Sequence, residues 1–168
     1  KRKLSTLYLL HPGKLYKIRN INYEIQDSAI LDILNRNDYR KQGLHQGMAF
    51  NVDNLDAERR RITTLLTDNG YYRFNKDFIS YRADSVPGTV DIDLTLVLHQ
   101  YRNRQVSDVP HSQYHINQVR FLNGNTDDSI IHLRPQVIRN NTFIREGELY
   151  SSGNLQTTYN HFGRLGAV

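Results

Sequence analysis

Tyr16-x-Ile18-x-x-Ile21-x-Tyr23 returns later in the chain as Tyr114-x-Ile116-x-x-Val119-x-Phe121. A second pair follows each: Gly47-x-x-Phe50 and then Asn54-Leu55, against Gly147-x-x-Tyr150 and then Asn154-Leu155. The two halves stay in step at a separation of about one hundred residues. Solenoid units repeat every ~20–50 residues, so this period suits a string of small domains instead. Arrays of that kind are usually built for contact rather than for catalysis.

The repeated stretch reads as a strand over 14–26, rich in Ile and Tyr, with one irregularity. Tyr16 and Ile18 lie on one parity, Ile21, Tyr23 and Ile25 on the other. A side-chain period of two absorbs such a slip only through a bulge or twist. The second copy keeps it. Asp27 is placed to cap a short helix carrying Ile30, Ile33 and Leu34 at helical spacing. A longer helix follows, with Asp53 as the expected N-cap and Asp56 near the positive end of the dipole. Leu55, Ile62, Leu65 and Leu66 form its apolar stripe, and Asn69-Gly70 is its left-handed stop.

Tyr71 to Tyr81 is aromatic and strand-like, broken at Asn75-Lys76-Asp77. Asp84 to Gly88 reads as a turn. Val90, Ile92, Leu94, Leu96 and Leu98 alternate cleanly, so this strand belongs mid-sheet, with Asp91, Asp93 and Thr95 on a wet face. The polar stretch 102–112, containing Pro110, reads as a linker. The second copy starts at Gln113, with a loop over Asn123–Asp128, a short apolar segment near Ile130–Ile138 and a helix over Gly153–Arg164 that stops at Leu165-Gly166. Nothing in it corresponds to 71–98. Leu4 to Leu10 is either the last strand of a preceding module or an unstructured tail.

Composition narrows the class. The chain of 168 residues is 38% hydrophobic, below the ~45–50% apolar share of an average globular protein, so the cores are modest. With 22 Lys and Arg against 17 Asp and Glu, the net charge of +5 is diffuse. Its densest run, Arg59-Arg60-Arg61, follows Asp56 and Glu58 and reads as a solvated helix face. Cysteine is absent, which excludes a disulfide frame, a zinc knuckle and a thiol nucleophile. No apolar stretch has the form of a signal peptide or membrane span, and Lys1 is first, so the chain reads as an excised or processed segment.

A search for chemistry finds little. His111 and His115 share metal spacing only on a helix, which Pro110 argues against, and they read as solvated linker histidines. Asn123-x-Asn125-x-Asp127 starts like a calcium loop, but Asp128 and Arg134 stand where Gly and Glu are needed. No nucleophile elbow, phosphate-cradling glycine loop or Cys-His pair is present. The expectation is no catalytic centre, no cofactor and no metal. Tyr71, Tyr72 and Phe74 beside Arg73 could stack on bases, although aromatics after a helix-ending glycine fit a core strand better.

The ordered set of Tyr16-x-Ile18-x-x-Ile21-x-Tyr23, Gly47-Met48-Ala49-Phe50-Asn51, Leu55-x-x-Glu58-Arg59-x-Arg61-Ile62 and Asp68-Asn69-Gly70-Tyr71-Tyr72-x-Phe74 resembles a known family. It is similar to the POTRA (polypeptide-transport-associated) domains of the outer-membrane protein assembly factor superfamily, BamA/TamA-like. The stretch Gly70 to Ser85 resembles the Bacteroidetes members most. Gly147-Glu148-Leu149-Tyr150-Ser151 and Thr158-Tyr159-x-x-Phe162-x-Arg164-Leu165-Gly166 carry the resemblance into the second copy. It implies an α+β fold of tandem modules, each strand-helix-helix-strand-strand, with a three-stranded mixed sheet and two helices on one face. The domains are then a tail or final strand over 1–13, a complete module over 14–101, the linker, and a partial module over 113–168.

The resemblance also implies the periplasmic part of an outer-membrane protein, tied to the membrane through a barrel outside this chain. It would contact subunits of an assembly complex and unfolded outer-membrane proteins. It places the candidate binding edge at Tyr72, Arg73, Phe74, Phe78, Ile79, Ser80 and Tyr81, where unpaired backbone groups can accept an extended chain. Two alternatives stay open: a basic nucleic-acid-binding tandem, and a division- or secretion-type POTRA protein. The second module poses a last question, because Tyr114–Leu122 lacks two strands to pair with. Two outcomes relieve this: a borrowed partner, from the first module or another copy, or a fold-back of about Asn123 to Asn141 to pair with it; the expectation is the borrowed partner.

Overall fold

The computed structural model describes residues 4–36, 42–103, 106–122 and 133–165. The expected loop over Asn123–Asp128 and the stop at Gly166 lie outside the described residues. The first strand, β1 (Lys17–Ile25), runs parallel to a later one, β3 (Asp91–Leu98), and its phase slip is a bulge. Ile18 pairs with Ile92 but Asn20 with Asp93, so Arg19 is the extra residue. Ile18 therefore reaches the core from one parity, and Ile21, Tyr23 and Ile25 from the other. Arg19 is turned to the outside, where it pairs with Asp93 and holds that carboxylate below its usual range.

Helix α1 (Ser28–Asn35) is capped by Asp27, which accepts from Ala29 and Ile30 N–H, and buries Ile30, Ile33 and Leu34. Helix α2 (Val52–Asp68) is capped by Asn51, not by Asp53 as the sequence suggests. Asn51 has the extended backbone a cap requires and accepts from Asn54 N–H at 2.8 Å, while Asp53 already sits in the first turn. Ile62, Leu65 and Leu66 form the buried stripe. The chain leaves the helix through Gly70 at φ +94°, with Tyr71 N–H donating to the Leu66 carbonyl.

The strand expected over 71–81 is shorter and displaced. Residues 71–75 are turn and coil, Lys76–Phe78 forms a single 3-10 turn, and β2 begins at Ile79 and continues to Ser85. Asp84 and Ser85 therefore lie in the strand, not the turn. The sheet order is β1-β3-β2, with β2 antiparallel to β3, so the cleanly alternating strand is central. Ile92, Leu94, Leu96 and Leu98 are buried on the side that carries α1 and α2. The opposite face is not wholly wet, since Thr95 is only 8% exposed. Its register neighbours are Asn22 and Arg82, and the Arg82–Glu24 ion pair links the two outer strands. A short side chain in mid-sheet is covered by longer ones on either side.

The arginine run departs from the solvated face expected of it. Arg60 pairs with Asp56, and Arg59 donates to the Lys76 carbonyl at 2.8 and 3.1 Å, clamping the 3-10 turn to α2. Arg61 makes a two-point contact at 2.7 and 2.8 Å with Glu58, which is 2% exposed. Gly43 closes over this pair, where a Cβ would lie 2.6 Å from Glu58 Oε2. After β3, the supposed linker contains a small hairpin of β4 (Tyr101–Asn103) and β5 (Val106–Val109). The second unit adds α3 (Pro135–Asn141), with Pro135 in its first turn, and α4 (Ser152–Arg164), capped by Ser151. At 13 residues against 17, α4 is about one turn shorter than α2.

Removing one partner of a buried ion pair strands the other charge, which costs about 3–5 kcal/mol. Glu58→Ala is therefore expected to lower the urea-unfolding free energy by about 3 kcal/mol. Replacing Glu58 and Arg61 together by Leu should recover most of that loss. A single mutant as stable as the parent would show that the pair is dispensable.

Candidate functional site

The outer edge of β2 is the candidate contact surface, and its hydrogen-bond parity can be worked out. His99 N–H donates to the Phe78 carbonyl and Val86 N–H to the Asp91 carbonyl. In an antiparallel ladder, residues alternate between facing the partner strand and facing away. Ser80, Arg82 and Asp84 thus turn their backbone groups toward β3, whereas Tyr81, Ala83 and Ser85 turn theirs outward. Ile79 N–H closes the 3-10 turn on the Lys76 carbonyl. Ala83 and Ser85 are exposed, which leaves a short edge open to an incoming chain.

The seven residues proposed from sequence do not form one strip. Phe74 and Ile79 are core residues, 4% and 1% exposed. Phe78 is half-buried against Phe74, Tyr101 and His111. Ser80 bonds the His99 ring at 2.7 Å. Tyr81 lies half-buried with its hydroxyl donating to the Leu55 carbonyl at 3.0 Å, and burial pushes the phenol pKa well up. Tyr72 and Arg73 lie off the strand altogether. The outward-facing Ala83 and Ser85 were not among the residues expected from sequence, because the strand-like stretch was read as ending at Tyr81 and Pro87-Gly88 made 84–88 look like a turn.

Tyr72 and Arg73 instead join the seam between the two units. The Tyr72 ring meets those of Tyr114 and Tyr150 edge-on, with centroids 6.0 and 5.0 Å apart, and Arg73 lies over Tyr114. Tyr114 N–H donates to the Gly70 carbonyl at 2.8 Å, and Gln113 Nε2 to the Asn69 carbonyl at 2.9 Å. Asp68 Oδ1 accepts from Gly153 N–H at 2.6 Å and from Ser151 Oγ at 3.2 Å. The last residue of α2 thereby caps the first turn of α4, satisfying a donor that the helix itself leaves open. Gly70 is buried at this point, and a Cβ on it would stand 2.9 Å from Leu149 Cδ2. His111, expected as a solvated linker residue, packs on Phe74 and Phe78 and bonds the His99 carbonyl through Nε2 at 2.9 Å.

The repeat holds down to single hydrogen bonds. Ile18 N–H donates to Met48 O, Gly47 N–H to Ile18 O and Phe50 N–H to Tyr16 O, at 2.9, 2.7 and 2.9 Å. The second unit repeats these as Ile116 to Glu148, Gly147 to Ile116 and Tyr150 to Tyr114, at 2.8, 2.7 and 2.9 Å. Gly47 and Gly147 share positive φ, at 84° and 81°. Beyond the His115–Leu149 bridge, however, Tyr114–Leu122 forms no strand among the described residues. Its backbone bonds go to 147–150 of its own unit, to the Glu146 carboxylate through Val119 N–H at 2.9 Å and, through Tyr114, to Gly70. The borrowed strand partner expected from sequence is not found among the described residues: the segment pairs with no other strand, and apart from the Tyr114–Gly70 bond its backbone is held within its own unit. Val119, Phe121, Ile138 and Ile144 line an open apolar cleft beside it.

No protein-family model matches the chain, and no curated protein matches it. Among solved structures it is similar to the crystal structure of Haemophilus influenzae BamA POTRA3-5, with a TM-score of 0.53 and 17% identity. The match covers 90% of this chain and 51% of the other, so the chain spans about half the length of that structure. The α+β architecture, a three-stranded mixed sheet with helices on one face, is a POTRA-like fold. Among the described residues, no helix is long and apolar enough to cross a membrane.

The seam yields a test. Asp68→Ala removes a cap, a change that costs about 1 kcal/mol. Amide exchange is expected to speed up at Ser152 and Gly153 and stay unchanged in β3. Unaltered exchange at α4 would show that the Asp68 contact does not hold the units together.

Proposed function

We propose that this chain is a periplasmic protein-interaction segment of an outer-membrane protein assembly factor. It would bind partner subunits and unfolded outer-membrane proteins by adding their extended segments to its sheet. The observation that carries this reading is the open edge of β2, with Tyr81, Ala83 and Ser85 turned outward from a well-packed sheet. An extended chain pairing there receives main-chain hydrogen bonds, which are tolerant of sequence, as a receiver of many unfolded substrates requires. The POTRA-like fold, and the likeness to a BamA POTRA structure, support the assignment to an assembly factor.

On this reading the chain divides into a tail over 1–13, a module over 14–101, a joint over 102–112 and a further module over 113–168. Ile79, Ser80 and Tyr81 remain part of the binding strand, extended to Ala83 and Ser85. Tyr72, Arg73, Phe74 and Phe78 hold the sheet and seam behind it. A short edge gives weak binding, and several modules in series raise it through effective concentration. The arginine run, committed to Asp56, Glu58 and Lys76 of its own module, offers little free charge to a polyanion.

A proline is tolerated at an edge position whose N–H faces away from the sheet. Ala83→Pro is expected to leave the fold intact and to weaken binding of a fluorescent peptide from an outer-membrane barrel strand by about tenfold, the loss of one net hydrogen bond and local shape. Arg82→Pro removes a ladder bond to β3 and should destabilise the module. Folded Ala83→Pro protein with parental affinity would rule out pairing at this edge.

A further inference from the structure

A cavity of about 200 Å3 opens between the first unit and the joint that follows it, and no residue of β2 lines it. Its floor is Tyr71 and Phe74, core residues only 2% and 4% exposed. Its walls are the rings of Tyr101, His111 and Tyr114. Each wall ring is steadied by a residue outside the cavity. Tyr101 and His111 lie against Phe78 at 6.2 and 4.7 Å between centroids, and Tyr114 meets Tyr72 at 6.0 Å. His111 Nε2 also donates to the His99 carbonyl. The recess therefore keeps its shape without an occupant, and a preformed site loses less of its binding energy to ordering.

Arg73 carries the only permanent charge among the described residues that line it. The guanidinium carbon stands 5.6 Å from the centre of the Tyr114 ring, and no carboxylate pairs with it among the described residues. Arg59, Arg60 and Arg61, by contrast, are each held by a carboxylate or carbonyl of their own module. A guanidinium resting on a ring keeps a fork of N–H donors that matches a carboxylate. Size limits the occupant further. Cavities that take whole cofactors measure ~300–1,000 Å3, so this one suits a single side chain. The surrounding rings favour an aromatic one, through edge-to-face contacts.

We propose that the cavity takes one aromatic side chain of a partner protein while Arg73 pairs with a carboxylate on the neighbouring residue. The feature recognised is an aromatic–acidic pair on an exposed segment. A lysine or arginine beside the ring would be repelled by Arg73. A nucleic-acid strand also offers rings and negative charge, but it fits less well. One guanidinium cannot follow a run of phosphates, and no Asn or Gln is among the described lining residues to read a base edge. The site differs in kind from the β2 edge. Main-chain pairing there tolerates many sequences, whereas this cavity discriminates between side chains. It does not depend on that pairing.

The probe is the end-blocked peptide Gly-Ser-Phe-Glu-Ser-Gly, titrated into the isotope-labelled 168-residue chain, with versions carrying Phe-Gln and Ala-Glu as controls. Amide signals of Arg73, His111, Ser112 and Tyr114 are expected to shift saturably at millimolar peptide, while those of Ala83 and Ser85 stay in place. Each control peptide, and the Phe-Glu peptide on Arg73→Gln protein, should bind at least about tenfold more weakly. Arg73 is exposed, so the β3 signals of that variant should match the parent. The control peptides test the proposal on the parent protein in any case. No saturable shift at the cavity, or equal affinity for the three peptides, would overturn it. So would tighter binding of a thymidine oligonucleotide at the same residues, since the occupant would then be nucleic acid. Ala83→Pro separates the two sites: it is expected to leave binding at the cavity unchanged, whatever its effect at the β2 edge.

Discussion

Gly70 is the residue on which both halves of the molecule depend. The chain must leave α2 through a left-handed conformation there, at φ +94°, to bring Tyr71 back into the core. A side chain at this position would be strained by its backbone and would also meet Leu149 of the second unit. One glycine thus ends a helix, starts the path to β2, and leaves room for the following unit. Its carbonyl then receives Tyr114 N–H, so the turn that completes the first fold is also the first contact of the second.

The seam built around that turn is mostly polar in its directional contacts and aromatic in its packing. Asp68 caps α4, Gln113 bonds the Asn69 carbonyl, and Tyr72 fills the angle between Tyr114 and Tyr150. Hydrogen bonds fix direction while the rings supply buried area. The consequence is mechanical. A unit held at its helix ends leaves its sheet edge free, and on the first unit that edge is β2.

Much of this was legible from residue pattern alone. The alternation of Ile92, Leu94, Leu96 and Leu98 gave the central strand, because a strand paired on both sides must bury its regular face. The slip between Ile18 and Ile21 foretold the bulge, since no regular strand can present both to one core. Asp27 was readable as a cap, but Asp53 was preferred over Asn51 because both types cap helices and only the backbone at position 51 distinguishes them. The start of β2 was misplaced for a related reason. Tyr71, Tyr72 and Phe74 have strand-type composition, yet Tyr71 and Phe74 plug the core from a turn, and Tyr72 serves the seam. The seam itself was hidden: Asp68 and Gly153 are 85 residues apart, and nothing local in either signals the other. The repeat contained the clue only in combination, as two glycine turns and two Tyr-x-Ile segments kept in step.

The claim that most needs direct testing is that the two units form one body through the Gly70 turn. Residual dipolar couplings of backbone amides measure the orientation of each element against a common frame. Couplings from β3 and α2 in the first unit, and from α4 in the second, are expected to fit a single alignment tensor using the arrangement described. If α4 requires a tensor of clearly smaller magnitude or different orientation, the units move independently, and the seam does not set the geometry of the array.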